Sequence, residues 1–406
     1  MKEKLKSFID DLFANAPKNQ ATLDTKEEFY VNACDKYDDY IAQGKDKQAA
    51  YDLTLSSIGD ISEVLISLGS PSPALSSVQT SQADGRVVCN ENNGIKVDAR
   101  SIKNIEINWV SGSVKILTHN GSQIEVSESA KDGAAPKNPM ICFINDGKLT
   151  VKFQKNKGFF EKLTTMFENK ELTVLIPQSG FYGEKLSLDT VSADSIINSV
   201  GFKDFDFNNA SCDAEISNCS FANKLSVNNI SGNINIRNIQ SRKLDFSTAS
   251  GDVKLSGCML ADKLSLDSKS GDTVINNAKA AKFDLSTISG DIVLTGIETY
   301  KLKLNSVSGQ VNASGSFNEI NGETMSGDYS IASTAVLNKI SFESVSGNLD
   351  LKIPENKGFT AEFEGVSGDF ATDFPIMMKN KKKIFGDGSA LYSFSVVSGD
   401  VTVNHI

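Results

Sequence analysis

A Ser-Gly step, usually followed by Asp or Asn, recurs along most of the chain and limits the folds that the chain can adopt. From Ser192 to Ser346 successive copies lie 18 to 20 residues apart. A unit this short cannot bury its own apolar face, so neighbouring copies must stack. The period predicts a solenoid with rungs of about 19 residues. The copies begin at Ser111, Ser231, Ser250, Ser270, Ser289, Ser308, Ser326, Ser346, Ser367 and Ser398, with degenerate copies at Ser192 and Ser211.

Apolar residues keep fixed positions relative to the Ser of each copy, which is numbered 0 below. They recur at −6, −4, −1, +3 and +5, as in Leu225, Val227, Ile230, Ile234 and Ile236. A spacing of two on either side of the turn predicts two short strands that each point one face inward. Gly suits the corner between them because it adopts positive φ freely, and Asp or Asn can bond nearby backbone there. The repeated columns predict a mainly β fold, a parallel β-solenoid (single-stranded β-helix) in which the rungs stack in register.

The first 69 residues have the periodicity of helices instead. One apolar stripe predicts a helix over residues 4–15, and a capping-box pair, Thr25 and Glu28, predicts a second that ends at Gly44. Further helices are predicted over residues 46–59 and 61–68. So small an all-α helical domain has a modest core, and it serves either as a partner-binding module or as a cap or spacer for the solenoid.

The sequence thus divides into three parts: a helical bundle at 1–69, a flexible Ser/Pro linker at 70–97 and the solenoid at 98–406. Two irregular, Lys-rich segments, about 128–171 and 370–392, interrupt the period. Exposed terminal rungs invite aggregation, so these segments are expected to cap the solenoid, with an anionic-ligand site as the alternative. The lysines that single out these segments are Lys155, Lys157 and Lys162 in the first and Lys379, Lys381, Lys382 and Lys383 in the second.

Stacking would bring the acidic residues of position +2 into one column. Carboxylates about 5 Å apart repel each other, and a bound Ca²⁺ would relieve the repulsion. The alternative is that each Asp caps its own turn and faces solvent, which is the usual role of Asp in a turn. The column is therefore a weak candidate metal site, and no cofactor is predicted. Its candidate ligands are Asp252, Asp272, Asp291 and Asp328.

The sequence has little material for catalysis. Its two histidines, His119 and His405, are too few for a histidine-based metal site, and no phosphate-binding Gly-rich loop is present. The six cysteines show no paired C-x-x-C spacing, and those within the repeats fit buried columns. We predict a protein that is not an enzyme. A carbohydrate-active enzyme on a β-helix and a purely structural, oligomer-forming rod are the rival hypotheses.

Charge and hydropathy exclude further classes. The formal net charge of −10 disfavours nucleic acid as a partner. The apolar runs are too short for a transmembrane helix, and Asp10 and Asp11 interrupt the region where a secretory signal would need its apolar core. These features predict a cytoplasmic protein, and association with the cell surface stays open.

Two stretches resemble known families. The units of the form KLSL-x-x-x-SGD-x-x-L, with ELTVLIP at 171–177 and VVSGDVTVNHI at 396–406, resemble a bacterial family of candidate adhesins built from β-strand repeats. The stretch from Glu27 to Leu65 resembles the small helical signalling-associated domain that precedes many such proteins in Gram-positive bacteria. The modular architecture, with a long regular surface and no catalytic set, predicts a non-enzymatic scaffold that binds a partner protein, a cell-envelope glycan or a peptide. The helical domain is expected to couple it to a signalling or envelope-stress system, and self-association stays open.

Overall fold

The computed structural model describes residues 20–42, 94–130, 139–154 and 169–406, with residues 2, 4–6, 9, 47, 51, 54, 86, 87 and 136. The chain divides into two compact units, Met1–Ala83 and Asp84–Ile406. Strands dominate the second unit, and they stack as a solenoid. The prediction of a mainly β fold is therefore confirmed.

The first unit contains one long described helix, α1 (Gln20–Ala42). Ala33 and Tyr37 are buried on one face, as their spacing of four predicts. The helix begins before Thr25 because the Gln, Ala and Leu of the preceding turn favour helix, so Thr25 does not cap it. Leu5 and Ile9 are helical and buried. Of the other predicted helices, residues 61–68 and most of 4–15 and 46–59 lie outside the described residues.

The second unit consists of 28 described strands and one short 3₁₀ helix, Ala99–Ser101. The strands are β1 (Arg86–Val87), β2 (Gly94–Asp98), β3 (Asn104–His119), β4 (Gln123–Ala130), β5 (Ile141–Asn145), β6 (Lys148–Lys152), β7 (Lys170–Pro177), β8 (Gly183–Asn198), β9 (Gly201–Ser211), β10 (Ala214–Ser217), β11 (Ser220–Ser231), β12 (Ile234–Arg237), β13 (Gln240–Thr248), β14 (Val253–Ser256), β15 (Met259–Ser270), β16 (Thr273–Asn276), β17 (Lys279–Ser289), β18 (Ile292–Ser306), β19 (Val311–Thr324), β20 (Tyr329–Ser333), β21 (Lys339–Ser344), β22 (Leu349–Ile353), β23 (Gly358–Ser367), β24 (Phe370–Thr372), β25 (Met377–Lys379), β26 (Lys382–Gly386), β27 (Ala390–Ser398) and β28 (Val401–His405). Strand β1 and most of β2 fall within residues 70–97, where the sequence predicts a linker.

The central rungs stack in sequence order as two parallel ladders. One ladder joins the long strands before the Ser-Gly corner, for example β11, β13, β15 and β17. The other joins the short strands after it, β10, β12, β14 and β16. Leu225 pairs with Leu244, and Leu244 pairs with Leu264, so each partner lies about one sequence repeat further along. Identical columns therefore stack on one another, as parallel in-register pairing requires.

Four of the five apolar columns form the core. At −6, for example, Leu244, Leu264 and Phe283 are fully buried, and at +5 Ile236 and Leu255 are buried as well. Each such side chain contributes about 1.5–3 kcal/mol by leaving water, and stacking repeats that gain in every rung. The predicted inward positions −6, −4, +3 and +5 are confirmed. Position −1 is not, for a reason given below.

At the C-terminal end the rungs do not stack in sequence order. Strand β27 pairs with β21 on one side and with β23 on the other, and β28 lies in the same way between β22 and β24. The chain therefore builds the rung of β21, continues into the outermost rung of β23, and returns to place β27 between the two. Strictly sequential stacking, which the repeat predicts, is wrong here.

The N-terminal end uses the same device. Strand β3 pairs with β8 on one side and with β6 and β7 on the other, although β6 and β7 lie between β3 and β8 in sequence. Antiparallel strands then cover both ends: β4 and β5 flank β7 and β6, and β26 flanks β23. The irregular segments 128–171 and 370–392 contain these strands in part, as expected for caps.

The N-terminal cap contains a buried ion pair. Lys170 Nζ lies 3.5 Å from Glu128 Oε2, and neither side chain is exposed to solvent. The ammonium also lies 4.5 Å from the centre of the Phe153 ring, whose face attracts cations. Burying the two charges costs desolvation energy, and their mutual attraction at short range offsets that cost. The pair therefore fixes β4 against β7.

Candidate functional site

The Ser-Gly-Asp corner brings successive rungs into close backbone contact. A Cβ atom at Gly271 would lie 2.4 Å from the carbonyl oxygen of Gly251, and the φ of Gly271 is +103°. Both the contact and the dihedral angle exclude a side chain, so the column needs Gly.

The acidic column at +2 is a ladder of hydrogen bonds between rungs. The backbone N–H of Asp272 donates to Asp252 Oδ1, and that of Asp291 donates to Asp272 Oδ1, each at 3.0 Å. A short side chain with an oxygen on Cγ reaches the next rung, which explains why Asp and Asn alternate freely. The same bond joins Asp213 to Asn233, Asn233 to Asp252, Asp291 to Gln310, Asp328 to Asn348, Asn348 to Asp400 and Asp400 to Asp369.

The four candidate metal ligands belong to this ladder. Asp252, Asp272, Asp291 and Asp328 each use Oδ1 to accept a backbone N–H of the next rung. Within the described ranges no group of three or more His, Cys, Asp or Glu side chains is placed to hold a metal ion. In this geometry the column forms hydrogen bonds that join the corner of one rung to the corner of the next.

From Thr190 to Ser344, position −2 is polar and buried, and on most rungs its side chain bonds the backbone of the corner. Ser344 Oγ accepts the backbone N–H of Gly347, and Thr324 Oγ1 accepts that of Gly327 at 2.8 Å. Nearer the N-terminal end, Asn229 Nδ2 donates to the carbonyl oxygen of Gly232. The inward spacing of two thus continues from −6 and −4 to −2, with a polar side chain that satisfies the turn. The sequence analysis missed this column because it followed apolar residues alone.

The apolar residues at −1 consequently point outward, which corrects the prediction that they enter the core. Six of them lie on consecutive rungs of the C-terminal half, and their exposed fractions range from 41% to 84%. Rungs about 4.8 Å apart give these six a length of about 24 Å. We call this set the apolar ridge: Ile288, Val307, Met325, Val345, Val397 and Val366, in order of stacking.

A second corner, at position +7, also escaped the sequence analysis. Asn218, Asn238 and Asn277 have positive φ there, and Gly257 and Gly296 take the place of Asn on other rungs. The side-chain amide of Asn238 donates to Asn218 Oδ1 at 3.0 Å. Asn and Gly are the residues that adopt this conformation most easily, so their alternation at a fixed position was the available signal.

Two shallow clefts run along the inner side of the −1 column. The larger, of about 420 Å³, is lined by positions −3, −2 and −1 of three consecutive rungs, including Glu323, Met325 and Glu343, and by Ser395 of the next rung. The smaller, of about 270 Å³, is lined by the same positions nearer the N-terminal end, including Asp189 and Ile230. Because the columns are shared, both clefts are parts of one type of groove that follows the solenoid.

The rung positions that border the apolar ridge carry acidic side chains. From −3 to +2, the six rungs of the ridge carry seven carboxylates and no Lys or Arg. Glu323, Glu343 and Glu364 lie on one side of the ridge, and the +2 ladder lies on the other. The seven are Asp291, Glu323, Asp328, Glu343, Glu364, Asp369 and Asp400.

The ionisable groups elsewhere on the rungs are engaged in structure. Burial raises the pKa of Asp284, but hydrogen bonds from Lys263 and Lys282 lower it more, so its carboxylate stays ionised in an ion pair. Burial raises the pKa values of Cys219 and Cys258 to about 11, which keeps both thiols protonated and unreactive. His119 bonds the carbonyl oxygen of Gln123 at 2.8 Å.

Comparison with known families agrees with this architecture. The Toastrack (DUF4097) family model matches residues 102–262 and again residues 258–404. The chain belongs to the Toastrack family. The two Toastrack matches together cover the solenoid, including the out-of-order rungs at both ends. No curated protein matches the chain.

Several solved structures are similar to parts of the chain. A candidate adhesin of Parabacteroides distasonis is 15% identical, with a TM-score of 0.37, over 66% of this chain and 98% of that one. A candidate adhesin of Bacteroides fragilis is 15% identical, with a TM-score of 0.33, over 66% and 97%. A candidate lipid-binding protein of P. distasonis is 14% identical, with a TM-score of 0.35, over 66% and 96%. The family assignment rests on the two Toastrack matches.

Among the residues that the structure describes, no helix is both long enough and apolar enough to cross a membrane.

Proposed function

We propose that this Toastrack chain is a non-enzymatic binding scaffold, and that the apolar ridge and its groove hold an extended segment of a partner protein. The observation that carries the proposal is the row of six exposed apolar side chains on consecutive rungs. Soluble proteins rarely leave apolar residues exposed in a continuous row unless something binds there.

Charge narrows the partner. Positions −3 to +2 of the six ridge rungs carry seven carboxylates and no Lys or Arg, so a bound segment gains from Lys or Arg side chains next to its apolar ones. The ridge, about 24 Å long, can accommodate about seven residues of an extended peptide at about 3.4 Å per residue. We therefore expect the partner segment to alternate apolar residues with Lys or Arg. An acidic glycan would be repelled from this surface.

Synthetic peptides test this directly. A peptide of alternating Leu and Lys, labelled with a fluorophore, should bind the full chain, and its affinity should fall with salt. A peptide of alternating Leu and Glu should not bind. The triple variant Val307→Ser/Met325→Ser/Val345→Ser should bind the Leu/Lys peptide about tenfold more weakly or worse, because each apolar side chain buried by the peptide contributes more than about 1 kcal/mol.

A matched control distinguishes binding at the ridge from nonspecific binding to exposed apolar side chains. Tyr182, Met259 and Tyr300 are 52% to 59% exposed and lie outside the ridge, so their triple replacement by Ser should leave binding unchanged. Glu323→Gln/Glu343→Gln should reduce the salt dependence. Equal binding of both peptides, or binding of an acidic polysaccharide in place of either, would contradict the proposal.

The N-terminal unit completes the proposal. The resemblance of residues 27–65 to a signalling-associated domain supports a role in coupling the scaffold to a signalling or envelope-stress system. In an adhesin role the protein reaches the cell surface, and fractionation of the native host should find it with the cell envelope. Recovery from the cytoplasm alone would exclude the adhesin role and leave the peptide-binding role to be judged by the peptide assays.

A further inference from the structure

The hairpin of β25 and β26, at the C-terminal end of the solenoid, exposes two methionines beside a cluster of lysines. Asn380 and Lys381 form its tight turn in the left-handed conformation, with φ values of 52° and 64°. Strand β26 pairs antiparallel with β23 of the outermost rung, so the hairpin borders the end of the stack.

The methionines make no use of the core. Met377 is 70% exposed and Met378 is 64% exposed, although the two are adjacent in a strand and point to opposite faces. Neither face of the hairpin tip is therefore covered. Met is flexible and polarisable, and it suits a surface that must adapt to what it contacts.

The lysines follow at once in the sequence, four within the five residues Lys379 to Lys383. Two of them are held by the chain itself: Lys382 pairs with Glu362, and Lys383 lies 5.0 Å from the centre of the Phe370 ring. Lys379 and Lys381 are exposed, and no described carboxylate pairs with either. In a chain with a formal net charge of −10, this is a local reversal of sign.

We propose that this hairpin docks on an anionic lipid surface. The methionines enter the boundary between headgroups and acyl chains, and Lys379 and Lys381 stay at the level of the lipid phosphates. Each contribution alone gives marginal binding, and an apolar element combined with a cationic one gives stronger, reversible attachment. The inference is independent of the apolar ridge, which lies on other rung positions and has the opposite charge.

Sedimentation of the full chain with vesicles tests the inference. The chain should pellet with vesicles of phosphatidylcholine and phosphatidylglycerol, should stay in solution with phosphatidylcholine alone, and should be released at about 1 M salt, where charges are screened within about 3 Å. Lys379→Glu/Lys381→Glu and Met377→Ser/Met378→Ser should each weaken binding about tenfold or more.

Two control pairs match these variants. Lys243→Glu/Lys254→Glu makes the same change of charge at exposed lysines of central rungs, and Met259→Ser/Tyr300→Ser removes two exposed side chains that lie outside the apolar ridge. Both should bind vesicles as the unaltered chain does. The inference would be overturned if the chain did not pellet with the anionic vesicles, or if the control pairs lost binding equally. It would also be overturned if heparin displaced the vesicles completely and Met377→Ser/Met378→Ser bound heparin as the unaltered chain does.

Discussion

The backbone N–H of Ser398 donates to the carbonyl oxygen of Val345 at 2.8 Å. The last rung in the sequence is therefore an internal rung of the stack, held between β21 and β23. Deletion of residues 390–406 should consequently do more than shorten the solenoid by one end rung. It removes the parallel partner of β21 and that of β23 together, so we expect both strands to lose protection from hydrogen exchange.

Mass spectrometry of hydrogen–deuterium exchange, resolved by peptide, measures this. Replacement of Met377–Lys383 by a short turn is the control, because it alters the cap and leaves β27 in place. Protection should then persist in β21. If β23 kept its protection in the truncated chain, it would have stacked directly on β21, and the internal rung would be dispensable.

In the rung of Ser326 a small residue, Gly322, and a large one, Tyr329, replace the usual pair of core side chains. Gly322 stands at position −4, where other rungs have Leu, Ile, Val or Phe, and a Cβ there would lie 3.0 Å from ring atoms of both Tyr329 and Phe342. The Tyr329 hydroxyl donates to the carbonyl oxygen of Glu323 at 2.8 Å. Gly322→Leu alone should destabilise the protein by about 1–3 kcal/mol through overpacking.

The double variant Gly322→Leu/Tyr329→Ile restores the pattern of the neighbouring rungs. It should be more stable than the sum of the two single changes predicts, with a coupling of about 0.5–3 kcal/mol in a double-mutant cycle measured by urea unfolding. Additive effects of the two changes would show that the ring does not occupy the space above Gly322.

The sequence predicted the rung and its core, and it failed where side-chain direction or chain order was decided by tertiary structure. The columns of Leu225 and Ile236 follow from period-two spacing alone. Ile230 was assigned to the core because it is apolar, but the buried polar residue at 229 keeps the alternation and turns Ile230 outward. The position of β27 between β21 and β23 could not be read from the repeat, because every rung offers nearly the same edge to every other. The apolar ridge was therefore unpredictable until the direction of position −1 was known.

The +2 ladder gives different predictions for two substitutions of one residue. Asp272→Asn keeps an oxygen on Cγ that can accept the N–H of Asp291, so stability should change little. Asp272→Ala leaves that N–H without its acceptor and should cost about 0.5–1.5 kcal/mol. Asp267→Ala, at an exposed position of the preceding strand β15, is the control. A rise in Tm with added Ca²⁺ that Asp272→Asn abolishes would favour the metal site over the ladder.

Two buried thiols should make the protein sensitive to alkaline pH. Burial raises the pKa values of Cys219 and Cys258 to about 11 in the folded chain, whereas thiols of an unfolded chain ionise near pH 8.5. The fold thus favours the protonated form: its contribution is complete below about pH 8.5 and is lost as pH rises towards 11, at up to about 1.4 kcal/mol per pH unit for each thiol. Ala278 occupies the same column as both cysteines, so Cys219→Ala/Cys258→Ala should fold. Urea unfolding is measured under reducing conditions at about pH 7, 9 and 10, which span the range in which thiols ionise. The free energy of unfolding should fall less with pH for this variant than for the unaltered chain. Equal falls in both proteins would mean that other groups cause the alkaline instability.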